Sequence, residues 1–195
     1  MTAVGILALQ GDVAEHRAMI AGLGAEPIDV KRRDQLDSID GLVIPGGEST
    51  TIGKLLLRFD MLDRLRERVQ EGLPMYGTCA GMILLADRVT DAAVDQPTVG
   101  GMDITVQRNA FGRQRESFET DLQIPVAGAD PVRAVFIRAP VIQQTGLDVD
   151  VLASLPDGRP VAARQGNKLV SSFHPELAGD NRMHAYFLQM VEDFS

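Results

Sequence analysis

The chain has 195 residues, 45% of them hydrophobic and 24% charged, with a formal net charge of −8. That length can bury a substantial core and points to a single domain over 1–195, while the acid excess excludes a general nucleic-acid binder, which draws on clustered Lys and Arg. One cysteine, Cys79, excludes an internal disulfide, and with neither a signal-peptide pattern nor a bilayer-length apolar run the expected location is cytoplasmic, with no membrane partner.

In chain order, "VGILALQ" (4–10) is a continuous apolar stretch, as expected of a strand covered on both faces. "VAEHRAMIAGLG" (13–24) predicts a short helix closed by Gly24. "EPIDVKR" (26–32) is a more exposed strand, and "GLVIPGG" (41–47) contains a third, buried one. Over 49–72, Ile52, Leu55, Leu56, Phe59, Leu62, Leu65 and Val69 recur at helical spacing. This predicts one helix, capped by Ser49 or Thr50 and stopped by Gly72 and Pro74. "LPMYGT" (73–78) is the next strand and leads straight into Cys79.

The alternation implies an open, mostly parallel sheet flanked by helices in three layers, a flavodoxin-like α/β arrangement with right-handed crossovers. Between 99 and 142, closely spaced strands leave no room for helices, so a small antiparallel excursion is expected. Three more strand-like runs fill 151–176, with "PDG" and "QGN" as turns, and "NRMHAYFLQMVEDF" (181–194) predicts a closing helix.

Ligands of such sheets sit at the carboxyl ends of the parallel strands. "PGGEST", "GTCAG" and "HPE" all fall there. Gly77-x-Cys79-x-Gly81 has the form of a nucleophile elbow with Cys in place of Ser, and a thiol at a helix's first turn feels the positive end of its dipole. The alternative is a small buried hydrophobe. His174 is a base for that nucleophile, and Glu176, two residues on, can orient the imidazole, with Pro175 fixing the backbone between them. His16 and His184 lie within predicted helices, where a partly buried or exposed structural histidine is the default. The paired glycines of "IPGGEST" can bring backbone N–H groups to a ligand, and one of these with the N–H of Ala80 would form an oxyanion hole. A Gly-Gly turn into a capped helix would also account for the glycines, though less well for Glu48. The loop lacks P-loop spacing, no G-x-G-x-x-G follows the first strand, and three scattered histidines with one cysteine form no metal-ligand cluster. No metal and no cofactor is therefore expected.

Taken together, these loops resemble the class I (triad) glutamine amidotransferases. The longer phrases "GILALQGDVAEH", "GLVIPGGESTTIGKLL", "YGTCAGMILLA", "VQRNAFGRQRESFE", "FIRAP" and "SFHPEL" are similar to the glutaminase subunit of pyridoxal phosphate synthase, the PdxT/SNO family. One departure is "LAGDNR" after the HPE, where that family's pattern would place a threonine and acidic residues. The resemblance implies Cys79 as nucleophile, completed by His174 and Glu176, an oxyanion hole at Gly47 and Ala80, and an L-glutamine pocket lined by Gly47, Glu48, Ser49, Arg108, Ile137 and Arg138. It also implies a partner, the PdxS/SNZ synthase subunit, in a large hetero-oligomer that receives the ammonia. Without the resemblance, Arg108 and Arg138 read as surface ion-pairing residues. Competing readings are the amidotransferases of histidine or purine synthesis, a cysteine hydrolase or chaperone-like protein on a similar sheet, and a non-catalytic flavodoxin-like binding module.

Overall fold

The structure, a computed structural model, describes residues 1–92, 95–110 and 117–194. The segment "FGRQRE" (111–116) within the 106–119 phrase lies outside the described residues.

Five short apolar runs form the parallel part of the central sheet: β1 (Ala3–Leu7), β2 (Glu26–Val30), β3 (Gly41–Ile44), β4 (Met75–Thr78) and β12 (Lys168–Ser171). Two further strands, β10 (Asp150–Ser154) and β11 (Pro160–Gln165), extend it antiparallel, giving the order β10-β11-β12-β4-β3-β1-β2. Alternate side chains along each strand go to opposite faces. Leu42 and Ile44 of β3, Met75 of β4 and Val170 of β12 join one core, with helices α2 (Ser49–Arg58), α3 (Leu62–Gln70) and α4 (Ala80–Leu85). Val43, Tyr76 and Leu169 join the other, with α1 (Val13–Gly22) and α6 (Arg182–Asp193). Two cores on two faces make the three-layer architecture, and they explain why β3 reads as an unbroken apolar run.

The helix expected over 49–72 is two helices. At the end of α2, the Met61 N–H bonds the Leu56 carbonyl at 2.9 Å and the Asp60 N–H bonds that of Leu57 at 3.1 Å. This is the Schellman arrangement, and Asp60 holds the left-handed position usually given to glycine, with φ 55°. Met61 and Leu56 are both fully buried, which supplies the apolar contact that accompanies such caps. The hydrophobic period runs through the break because both helices face the same core, so the periodicity does not reveal the stop. The cap of α2 also differs from expectation: Glu48, not Ser49 or Thr50, accepts the N–H groups of Thr50 (3.1 Å) and Thr51 (2.6 Å).

The middle of the chain is an excursion of mixed rather than purely antiparallel pairing. β5 (Ala86–Thr90), which follows α4 directly, pairs parallel with β6 (Met102–Gln107), and β6 pairs antiparallel with β9 (Val141–Thr145). β7 (Ser117–Leu122) and β8 (Val132–Ile137) form a separate antiparallel ribbon. "ADRVT" continues an apolar helix without a turn signal, and β5 therefore escapes a periodicity reading. Strand β1 ends at Leu7 rather than 10, and the residues beyond it turn toward the site.

Replacing Asp60 by glycine should stabilise the protein by up to about 1 kcal/mol, because the left-handed backbone is free of side-chain strain only for glycine. Its exposed ion pair with Arg33, 3.2 Å, offsets little of that. A rise in the urea midpoint of Asp60→Gly is expected, and a fall would contradict this account of the helix break.

Candidate active site

β12, β4 and β3 are neighbours and run parallel, in a register that aligns Ser171 with Thr78 and Ile44 with Gly77. The three chemically suspicious loops therefore leave the sheet side by side, at its carboxyl edge. The turn after β1, carrying Gln10, Gly11 and Asp12, joins them from the next strand along.

Cys79 sits between β4 and α4 with φ 48° and ψ −99°, a conformation costly for a residue with a side chain. Its N–H is fixed by the Ser171 carbonyl at 2.8 Å. The flanking glycines follow from the tightness of this turn. A Cβ on Gly77 would come within 2.5 Å of the Gly81 backbone, and one on Gly81 would overlap the Ile44 carbonyl oxygen. The helix thus rests directly on the strands and aims its first turn at the thiol. Cys79 is 6% exposed and opens onto a cleft of about 560 Å³, with its Sγ 3.9 Å from the Ile137 carbonyl oxygen.

His174 follows β12, and its backbone is tied to the β7–β8 ribbon by the bond from its N–H to the Val135 carbonyl, 2.8 Å. Glu176 lies in the short helix α5 (Pro175–Ala178) that Pro175 starts. The His174 Nδ1 lies 2.8 Å from Glu176 Oε1 and 3.2 Å from Asp12 Oδ2. With Nδ1 facing two carboxylates, Nε2 is left for the cleft that His174 lines together with Cys79. Burial by itself would lower the histidine pKa, but the polar neighbours Asp12, Cys79 and Glu176 push it up to about 12. The imidazole is therefore held as imidazolium beside the sulfur. Glu176 is raised in turn by its burial, against the opposing pull of His174.

The structure also gathers the other candidate residues. Gly47, Glu48, Ser49, Ala80, Arg108, Ile137 and Arg138 line the same cleft as Cys79 and His174. Glu48 already has partners: besides capping α2 it accepts the Thr51 hydroxyl at 2.7 Å and Arg108 Nη2 at 3.1 Å. Partial burial works against its charge, yet the hydrogen bonds from Thr51 and Thr50 keep its carboxyl below the usual range. Ser49 is buried, and its hydroxyl accepts Gln96 Nε2 at 3.1 Å. Arg138 has a left-handed backbone, φ 45°, next to the exposed Ile137.

Sequence reasoning missed Gln10 and Asp12. Gln10 Oε1 accepts the Glu48 N–H at 2.8 Å and packs against Gly47, where a Cβ would collide with it. Asp12 supplies the second acceptor on His174. The loop's place at the carboxyl end of β1 was the available signal. Asp12, His174 and Glu176 also bring ligand-type atoms within 4.8 Å of one another. The His174 nitrogen facing both carboxylates is already engaged with them, Asp12 at the cleft and Glu176 buried behind it.

His16 and His184 depart from expectation in their depth: both are fully buried. His16 Nδ1 lies 2.8 Å from His184 Nε2, and His16 Nε2 lies 3.1 Å from Thr78 Oγ1. Burial lowers both pKa values, with His184 brought down to about 4 and His16 well below its usual value, further lowered by His184 and His174.

The fold is that of the glutamine amidotransferases. A solved structure described as a glutamine amidotransferase superposes with a TM-score of 0.90 at 49% identity, covering 97% of this chain and 98% of that one. The structure of PurLQS from Thermotoga maritima shares the fold at a TM-score of 0.65 and 17% identity, covering 99% of this chain and 98% of that one. Residues 6–193 match the SNO glutamine amidotransferase family, and the chain belongs to that family. It is 58% identical over 186 residues to the pyridoxal 5'-phosphate synthase subunit PdxT of Herpetosiphon aurantiacus, covering 95% of this chain and 98% of the relative. The PdxT of Kineococcus radiotolerans is 55% identical, with coverage of 97% and 95%.

A histidine whose pKa is depressed on folding stabilises the native state above the unfolded pKa, and that stability is lost as pH falls through the folded one. For His184 the window runs from pH 6.5 down to about 4. Over it the wild type should lose about 3 kcal/mol more than His184→Gln does. Urea denaturation of both proteins across this range measures the difference, and parallel curves would contradict the assignment of a neutral His184.

Proposed function

We propose that this protein is the glutamine-hydrolysing subunit of a pyridoxal phosphate synthase, releasing L-glutamate and ammonia through Cys79, His174 and Glu176. The observation that carries the reading is the His174 ring, facing the same cleft as a thiol on a strained elbow and gripped at Nδ1 by Glu176 and Asp12. The names of the relatives supply the acceptor chemistry, vitamin B6 biosynthesis.

In this mechanism the Cys79 sulfur, its proton resting on His174, attacks the side-chain amide carbon of glutamine. Backbone N–H groups at Gly47 and Ala80 receive the developing oxyanion. The imidazolium gives its proton to the departing nitrogen, the C–N bond breaks, and ammonia leaves a glutamyl thioester. Water, deprotonated by His174, then attacks the thioester; the C–S bond breaks and glutamate is released. Asp12 and Glu176 hold the ring's orientation and its charge. Arg108 pairs with the substrate α-carboxylate, and Glu48 with its α-ammonium, while Ser49, Ile137 and Arg138 complete the pocket.

Free ammonia in water is protonated and lost as a nucleophile, so the subunit works docked on its acceptor enzyme, the PdxS/SNZ-type synthase, in a large cytoplasmic hetero-oligomer. Among the described residues no helix is long and apolar enough to cross a membrane. No cofactor is needed for the hydrolysis as written.

Cys79→Ala should abolish glutamate release while the protein still folds, a loss of about a thousandfold or more. Glutamate release measured with and without added synthase tests the pairing, with a higher rate expected in the complex; full activity of Cys79→Ala would refute the nucleophile. Arg108→Ala should raise KM for glutamine by about 10- to 100-fold, because it removes a charge-assisted contact. An unchanged KM in steady-state assays would remove Arg108 from the pocket.

A further inference from the structure

The reaction described above uses only His174 of the three histidines. The remaining two come from opposite ends of the chain, His16 on α1 and His184 on α6, and meet behind the candidate triad with no access to solvent. We propose that His16, neutral and protonated at Nε2, is a positioning residue that holds the Glu176 carboxylate in place behind His174, and that His184 locks His16 in that tautomer. The inference rests on the triad reading above.

The geometry at Glu176 carries the argument. Its Oε1 faces two imidazoles, His174 Nδ1 at 2.8 Å and His16 Nε2 at 3.5 Å. Its Oε2 is buried without a hydrogen-bond partner among the described residues. The terminal torsion of a glutamate is broad and roughly two-fold, so a carboxylate bonded through one oxygen has little to stop it turning. An N–H of His16 faces Oε1 from its second side at 3.5 Å, a long electrostatic contact rather than a second full hydrogen bond. It biases the position of the oxygen that orients His174. The same N–H lies 3.1 Å from Thr78 Oγ1, the residue just before Cys79. One ring therefore joins the strand that presents the nucleophile to the helix that presents the carboxylate.

The tautomer follows from counting donors. If His16 carries its proton on Nε2, that N–H points at a hydroxyl and a carboxylate, and Nδ1 accepts the Nε2–H of His184 at 2.8 Å. The atom left over is His184 Nδ1, which has no partner among the described residues and is then only an unused acceptor. With the protons reversed, a lone pair of His16 would face a carboxylate oxygen, and His184 would bury an N–H with nothing to receive it. Orphaned buried N–H groups are the rarer and costlier kind. Packing keeps His184 where this needs it: the Tyr76 ring meets it edge-on at 5.6 Å between centroids, and Tyr76 is itself held by Phe187 at 5.8 Å.

Two measurements test the proposal. In a ¹⁵N-labelled wild-type protein at pH 7, long-range nitrogen–proton spectra read the tautomer of each of the three imidazoles directly. His16 and His184 are both expected neutral with the proton on Nε2; a His16 protonated on Nδ1, or on both nitrogens, overturns the proposal. In the synthase complex, His16→Gln places an amide N–H near the lost Nε2–H, whereas His16→Asn leaves that position empty. The Asn variant should lose about tenfold or more in kcat, with KM changed by less than about twofold, and the Gln variant should recover most of the rate. Equal losses in the two variants, or no loss in Asn, overturn the positioning role. Should the Asn variant fail to fold, the wild-type spectrum alone decides. A wild-type complex that releases no glutamate instead removes the glutaminase reading and the positioning role together.

Discussion

The structure depends on how closely α4 can approach the strands beneath it. Hydrogen bonding sets the spacing of β12, β4 and β3, and the two glycines around Cys79 let the helix backbone rest on β4 and on the carbonyl end of β3 with nothing between. A methyl group at either position would lift the helix and rotate the sulfur away from the ring of His174. The strained backbone of Cys79 is tolerated because its N–H is anchored on β12, the strand that also delivers the histidine. Cys79 and His174 are thus placed by adjacent strands in one sheet rather than by independent loops.

Charge is concentrated in this small volume. His174 is largely buried and would lose its proton but for the carboxylates of Asp12 and Glu176 and the sulfur next to it. The two acids differ in setting. Glu176 lies deep, where burial raises its pKa, while Asp12 is one-third exposed at the cleft. A buried carboxylate and a solvated one on the same nitrogen give the imidazolium support that does not depend on one geometry alone.

Strand–loop–helix alternation and the three loop motifs were legible in the sequence, because apolar runs bounded by glycines report burial and turns directly. The layered sheet and the candidate residues at its edge follow from these. Three features were not legible. The end of α2 is invisible because Asp60 replaces the expected glycine and Met61 continues the apolar stripe. Strand β5 is hidden because it follows a helix with no turn residue between them. Asp12, Gln10 and the buried pair His16 and His184 come from segments whose local pattern is that of an ordinary turn and ordinary helices. Only the folded sheet brings position 16 beside position 184 and both behind position 176.

The commitments of Glu48 carry a consequence for how the cleft fills. Its two oxygens are already divided among a helix start, a threonine hydroxyl and a guanidinium. An incoming ammonium must share those oxygens, and an incoming carboxylate must draw the guanidinium toward itself. Filling the cleft with a charged ligand would therefore draw on the same oxygens that hold the first turn of α2 taut.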